Sequence, residues 1–122
     1  FGKYSVYVEN GKKNINIDPI DYAKKMEHLG AGELNLNSID REGTGQGFDS
    51  ILIKKISNLI SIPLVVSGGA RHIQDFYQIV ESANLTAVAA GNLFVYYGKH
   101  KAVLITYPKI ELDEIFKEYD ER

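Results

Sequence analysis

No residue of the chain is a cysteine. That excludes disulfides, a thiolate nucleophile and any zinc site built on thiolates, and it suits a reducing, cytoplasmic setting. Basic residues are not in excess: 14 Lys and Arg stand against 16 Asp and Glu, a net charge of −2. With a pI near 5.9, the chain lacks the electrostatic footprint of a nucleic-acid binder. No apolar run approaches the roughly 18 residues that a membrane-spanning helix needs, and no signal-peptide pattern opens the chain. Three histidines, His28, His72 and His100, share no metal-ligand spacing, so neither a metal nor another cofactor is expected. An initiating methionine is also missing: the chain opens on Phe1, in what reads as the middle of a larger unit, and a fragment is expected.

What is present is globular in composition. Hydrophobic residues make up 44% and charged residues 25% of 122 positions, room for one domain over residues 1–122. Tyr4-Ser5-Val6-Tyr7-Val8 alternates and is rich in β-formers. Asn10-Gly11 is a hairpin signal, and Asn14-Ile15-Asn16-Ile17 is the expected returning strand. Asp18-Pro19 opens a helix, with Asp as cap and Pro in the first turn; Tyr22, Met26 and Leu29 form its apolar face, and Gly30 closes it. Glu33 to Asn37 is expected as a buried strand, with Leu34 and Leu36 on one face and Glu33, Asn35 and Asn37 on the other. A helical pattern from near Phe48 aligns Leu52, Ile56, Leu59 and Ile60. Leu64-Val65-Val66 is the next strand, Ile73, Phe76, Tyr77 and Val80 the next helix face, and Thr86 to Ala90 a third short strand. Leu112, Ile115, Phe116 and Tyr119 mark a last helix. Alternation of this kind, in repeats of roughly twenty to thirty residues, means a parallel sheet with crossover helices. Eight such units close a (βα)8 TIM barrel, and this chain holds about half of one, an α/β fold.

Three strand-to-helix junctions carry the polar and glycine-rich loops. They are Ser38-Ile39-Asp40-Arg41-Glu42-Gly43-Thr44-Gly45-Gln46-Gly47, then Ser67-Gly68-Gly69, then Gly91-Asn92. Glycines let backbone N–H groups come close to an anion, and helix N-termini add positive potential. Any one of these loops could simply shape a turn. Recurrence at successive strand ends favours a phosphorylated ligand, because phosphate is best held by N–H donors converging from separate loops. Asp40 is expected to hold its loop by hydrogen bonds. Tyr96, Tyr97, Lys99, His100 and Lys101 read equally as a partner surface or as a solvated loop, and the charges from Glu111 to Arg122 as a solvated helix face.

Gly30-Ala31-Gly32-Glu33, Ser38-Ile39-Asp40-Arg41-Glu42-Gly43-Thr44, Gly47-Phe48-Asp49 and Ile62-Pro63-Leu64-Val65-Val66-Ser67-Gly68-Gly69-Ala70 occur here in one order. Together they resemble the C-terminal half of the cyclase (synthase) subunit of imidazole glycerol phosphate synthase. The resemblance runs from the hairpin to the last helix. It implies a (βα)8 barrel that receives ammonia from a glutaminase partner and acts on a phosphorylated ribulosyl aminoimidazole-carboxamide nucleotide. The products would be imidazole glycerol phosphate and an aminoimidazole-carboxamide ribotide, a step of histidine biosynthesis. The family's two acid–base aspartates end the first and fifth strands, so the resemblance places both upstream of Phe1 and leaves no catalytic residue in this chain. It implies contacts to substrate and phosphate from Asn37, Glu42, Gly43, Ser67, Gly68, Gly69, Gly91 and Asn92, and an ammonia gate at Glu33.

The chain departs from the family pattern in places. Glu42 stands where an aspartate is usual, Asn37 where a threonine is usual, and the Gly91-Asn92-Leu93-Phe94 loop is one residue longer. Val95 to Ile105 is unlike the histidine-pathway tail and resembles a paralogous branch associated with surface-polysaccharide synthesis, in which ammonia goes to amidation of a sugar. The face of Glu33, Asn35 and Asn37 fits a polar conduit for ammonia, a rotated strand or an ordinary paired barrel interior. A third possibility is a half-barrel without catalysis that binds phosphate and covers its open edges by self-association.

Overall fold

The computed structural model describes residues 4–83, 85–97, 100–103 and 105. An antiparallel hairpin comes first, β1 (Tyr7–Val8) and β2 (Lys13–Asn14), with Tyr7 opposite Asn14. Its pairing extends outward through Val6 N–H to the Ile17 carbonyl and Ile15 N–H to the Val6 carbonyl. The returning strand therefore starts one residue before Asn14. The turn is wider than a two-residue hairpin: Glu9, Asn10 and Gly11 all have positive φ, and Lys12 N–H closes on the Glu9 carbonyl.

Helix α1 (Pro19–His28) starts as expected. Asp18 accepts from the Ile20 N–H at 2.8 Å, and Pro19, which has no N–H to leave orphaned, occupies the first turn. At the other end Gly30 adopts φ +96° and donates to the Glu27 carbonyl, while Ala31 N–H reaches back to Met26. That pair of bonds is a Schellman cap, which satisfies carbonyls the helix leaves open. Glu27 continues the tie. Its carboxylate accepts from Ser61 N–H, Ser61 Oγ and Ile62 N–H at 2.7, 2.6 and 3.2 Å, fixing the end of α1 to the segment that enters the central strand. The Ser61 bonds hold the Glu27 carboxyl below the usual carboxylate range.

The main sheet is parallel, in the order β3 (Leu34–Asn37), β4 (Leu64–Ser67), β5 (Ala87–Val88). Leu34 pairs with Leu64, Asn37 with Ser67 and Val66 with Val88. Helices α2 (Ser50–Ser57) and α3 (Ile73–Ala83) make the two crossovers. Side chains alternate across strands, so Leu34, Leu36, Leu64, Val66 and Val88 share one face. On that face lies the core: Leu52, Ile53 and Ile56 from α2, Phe76, Ile79, Val80 and Ala83 from α3, with Phe48 and Leu85. Phe76 is flanked by Phe48 and Phe94, at ring centroid separations of 5.8 and 6.3 Å, in the tilted and edge-on geometries that aromatic quadrupoles favour. Parallel strands with helices packed on one face form part of an α/β barrel.

Several sequence expectations shift. Helix α2 begins at Ser50, two residues after Phe48, because Asp49 is its cap and accepts from Leu52 N–H. Ile53 takes the buried place expected of Leu59, which is exposed beyond the end of the helix. The third strand shrinks to Ala87–Val88. The strand at Leu34–Asn37 is covered on one face only: Leu34 and Leu36 are half-buried, and Asn35 and Asn37 are exposed. After β5 come a short helix α4 (Asn92–Val95) and a second antiparallel hairpin, β6 (Tyr96–Tyr97) with β7 (Ala102–Val103). The helix expected around Leu112 to Tyr119 lies outside the described residues.

Candidate functional site

The carboxyl ends of β3, β4 and β5 open on the same side of the sheet, and their loops enclose a cleft of about 130 Å³. Its walls are Glu42 and Gly43 after β3, Ser67 to Ala70 after β4, and Ala89 to Asn92 after β5. Seven of the residues singled out in the sequence thus meet: Glu42, Gly43, Ser67, Gly68, Gly69, Gly91 and Asn92. Asn37 stands just behind them, where its Oδ1 accepts from Ser67 Oγ at 3.1 Å. Glu33 is not in this group. It precedes β3 at the opposite end of the strand, exposed, and makes no ion pair among the described residues.

The loops are fitted to one another at backbone level. Gly47 N–H donates to the Gly69 carbonyl at 2.7 Å, which joins the loop after β3 to the loop after β4. Gly69 has φ +101°, and a Cβ there would lie 2.4 Å from the Gly47 carbonyl oxygen. Only glycine fits both that conformation and that approach. Across the cleft the Asn92 amide nitrogen lies 2.9 Å from where a Gly43 Cβ would be. Among the described residues, the backbone N–H groups of Gly43, Gly68 and Gly69 donate to no other group. Gly68 and Gly69 are buried, and native structures rarely leave buried N–H groups unpaired. The Glu42 N–H is different: it is spent on the Ser38 and Ile39 carbonyls. Glu42 therefore brings only its carboxylate, the one formal charge among the described residues of the lining.

A polar network braces the first loop from behind. Arg41 donates through Nη1 to the Gly47 and Phe48 carbonyls at 3.1 and 3.4 Å, and its Nε lies 3.8 Å from Asp49 Oδ2. Asp49 is buried; besides capping α2 it accepts from Tyr4 Oη at 3.0 and 3.2 Å. Partial burial and the bond to Asp49 raise the Tyr4 phenol above its usual pKa. Asp40, expected to hold this loop, is exposed and makes no hydrogen bond among the described residues; Arg41 holds it instead. A charged side chain whose partners are mostly backbone carbonyls has no sequence signature, so Arg41 is visible in the sequence only as part of the Ser38 to Thr44 motif and its bracing role is not. Asp49 was visible only as part of the Gly47-Phe48-Asp49 motif.

A second groove, of about 330 Å³, lies outside the cleft between α2 and α3, with Arg71 and Asp75 in its wall. Arg71 and Asp75 are matched to each other. Asp75 accepts from Arg71 N–H at 2.7 Å, Arg71 Nη2 at 3.0 Å and His72 N–H at 3.3 Å. Burial pushes the Asp75 carboxyl up, but the bonds from Arg71 and His72 outweigh it and hold the group below its usual range. Among the described residues no group of three His, Asp or Glu side chains is placed to hold a metal ion. No helix among them is long and apolar enough to cross a membrane.

The sequence from residue 2 to residue 101 matches the family described as histidine biosynthesis protein. The chain belongs to that family. Members similar to it include a Pseudomonas aeruginosa protein with the provisional name imidazole glycerol phosphate synthase subunit hisF2, 44% identical over 110 residues, which are 90% of this chain and 44% of the relative. A Leptospira interrogans protein, provisionally named imidazole glycerol phosphate synthase subunit HisF, is 44% identical over 89% of this chain and 43% of the relative. The Pyrobaculum aerophilum imidazole glycerol phosphate synthase subunit HisF is 44% identical over 75% of this chain and 36% of its own length. The chain spans less than half the length of these family members.

Proposed function

We propose that this chain is the C-terminal part of a cyclase subunit of the imidazole glycerol phosphate synthase type, and that the cleft at its strand ends binds a phosphate group of the substrate. The carrying observation is the meeting of three loops around N–H groups of Gly43, Gly68 and Gly69 that have no partner among the described residues. Unpaired N–H donors from separate loops, set among small side chains, suit a phosphate. With the remainder of a barrel, and with ammonia from a glutaminase subunit in the cytoplasm, the site would position the ribulosyl aminoimidazole-carboxamide nucleotide for cleavage and ring closure. In this reading Ser67, Gly91 and Asn92 complete the phosphate cradle, Asn37 orients Ser67, and Glu33 meets ammonia at the far end of the strand. General acid–base chemistry comes from aspartates outside this chain.

A second reading rests on the extent of the similarity. Relatives with provisional names align over 89–90% of the chain, the HisF of Pyrobaculum aerophilum over 75%. That favours a paralogue, and the resemblance of Val95 to Ile105 makes it one whose ammonia would amidate a sugar. Both readings require the phosphate cleft. Titrating the 15N-labelled chain with inorganic phosphate and with glycerol 3-phosphate tests it: amide shifts at Gly43, Gly68 and Gly69 are expected, and their absence at saturating ligand overturns the assignment. Ammonia-dependent turnover of the histidine-pathway nucleotide by the barrel completed with its upstream segment separates the two substrates.

A further inference from the structure

The cleft has an electrostatic deficit. Among the described residues its walls carry the Glu42 carboxylate and no cation, yet a phosphate monoester carries between one and two negative charges near neutral pH. Backbone N–H groups supply partial charges only, and Glu42 opposes the ligand. Arg41, beside Glu42, is turned to the Gly47 and Phe48 carbonyls and to Asp49; a further cation comes from elsewhere in the chain. Lys101, just before β7 in the second hairpin, donates its Nζ to the Gly43 carbonyl at 3.3 Å, across 58 residues of sequence. Gly43 is itself part of the cleft wall. Lys101 also has φ +49°, a left-handed conformation that a non-glycine residue adopts at some cost and that is over-represented where geometry serves a site.

We propose that Lys101 is the cation of the phosphate cleft, carried to its rim by the β6–β7 hairpin, and that it selects a phosphate dianion over a monoanion. The inference rests on the phosphate reading above and adds the source of charge. An ammonium has three donors; one is spent on Gly43, and two remain for phosphate oxygens. As a compact point charge on a flexible stem, lysine can keep the Gly43 contact and meet a ligand oxygen without the fixed fork geometry that arginine imposes. The same ammonium offsets Glu42. Hairpin and loop are thereby linked: a segment outside the three strand-end loops supplies what they lack.

The test compares wild type with Lys101→Gln and Lys101→Arg, using inorganic phosphate and glycerol 3-phosphate as probes and the amide shifts of Gly68 and Gly69 as the readout. Lys101→Gln is expected to weaken binding about five- to tenfold at low salt, between the values typical of exposed ion pairs and of charge-assisted hydrogen bonds. Lys101→Arg is expected to restore most of it. The wild-type preference for pH 8 over pH 5.5, which reflects the second ionisation of the phosphate, should shrink in Lys101→Gln, as should the loss of affinity in 0.5 M salt. A lysine that merely pinned Gly43 would leave the pH preference intact. If Lys101→Gln binds like wild type while the Gly68 and Gly69 shifts persist, the inference is overturned and the cleft assignment stands. If wild type shows no shifts at Gly43, Gly68 and Gly69, both fall.

Discussion

Asp49 is the residue whose replacement reports most directly on how the loop after β3 is braced. In Asp49→Ala three contacts go. The cap to Leu52 N–H at 3.2 Å is worth about 1 kcal/mol. The bond from the half-exposed Tyr4 hydroxyl, 3.0 Å from Oδ2, contributes about 1 kcal/mol. The pair with Arg41 at 3.8 Å, whose side chain is 33% exposed, adds at most about 1 kcal/mol because solvent screens it. The expected loss is therefore about 2–3 kcal/mol. Asp49→Asn keeps an oxygen for the cap and a group for Tyr4, and should lose less than about 1 kcal/mol. Tyr4→Phe should cost about 1 kcal/mol, and a double-mutant cycle should show that this cost disappears in the Asp49→Ala background. Urea denaturation is the assay. With a slope of roughly 1 kcal/mol/M for a chain of this size, Asp49→Ala should lower the midpoint by about 2 M or more. If Asp49→Asn is as damaging as Asp49→Ala, charge and not the cap dominates and the reasoning fails. If Tyr4→Phe keeps its full cost without Asp49, the two residues are not coupled.

Other expectations follow from the same geometry. Gly69→Ala should cost about 2–4 kcal/mol, from strain at positive φ and loss of the bond to Gly47, and should abolish phosphate-induced shifts; wild-type binding in that variant would sink the close-approach argument. Phe76→Ala, at the centre of the aromatic trio, should cost about 3–5 kcal/mol in the same urea assay. Asp75 and Glu27 both have folded-state pKa values below the usual carboxylate range. The unfolded chain therefore takes up protons first: the stabilisation is complete above about pH 4–5 and is lost as pH falls through the depressed folded-state values. Asp75→Asn should flatten this acid limb, and an unchanged midpoint-versus-pH curve would count against it.

Where function depends on local chain chemistry, the sequence was informative. Asp18-Pro19 and Gly30 marked the ends of α1 because caps are written in one or two residues. Ser67-Gly68-Gly69 and Gly91-Asn92 pointed to one cleft because loops at the carboxyl ends of successive parallel strands open on the same side of the sheet. What stayed hidden depends on long-range placement. Arg41 looked like any charged loop residue until its guanidinium was seen on the Gly47 and Phe48 carbonyls. Lys101 reads equally as part of a partner surface or of a solvated loop, because nothing local shows that a hairpin returns it across 58 positions to Gly43. In the Leu34–Asn37 strand, alternation assigned the Leu34 and Leu36 face to the helices, as found, but alternation alone does not say what meets the polar face of Asn35 and Asn37.

The bond from Gly47 N–H to the Gly69 carbonyl has a bearing on how such barrels can be recombined. The two loops occupy separate βα units, so a chimera cut between α2 and β4 would preserve every helix and strand while dividing a contact with no side-chain component. Swapping either loop alone brings in a backbone shaped against a different neighbour, even when each sequence is sound in its parent. Exchange of ligand specificity between relatives should therefore succeed when the segments 38–49 and 67–71 travel together, as one heritable unit that the linear order of the chain does not suggest.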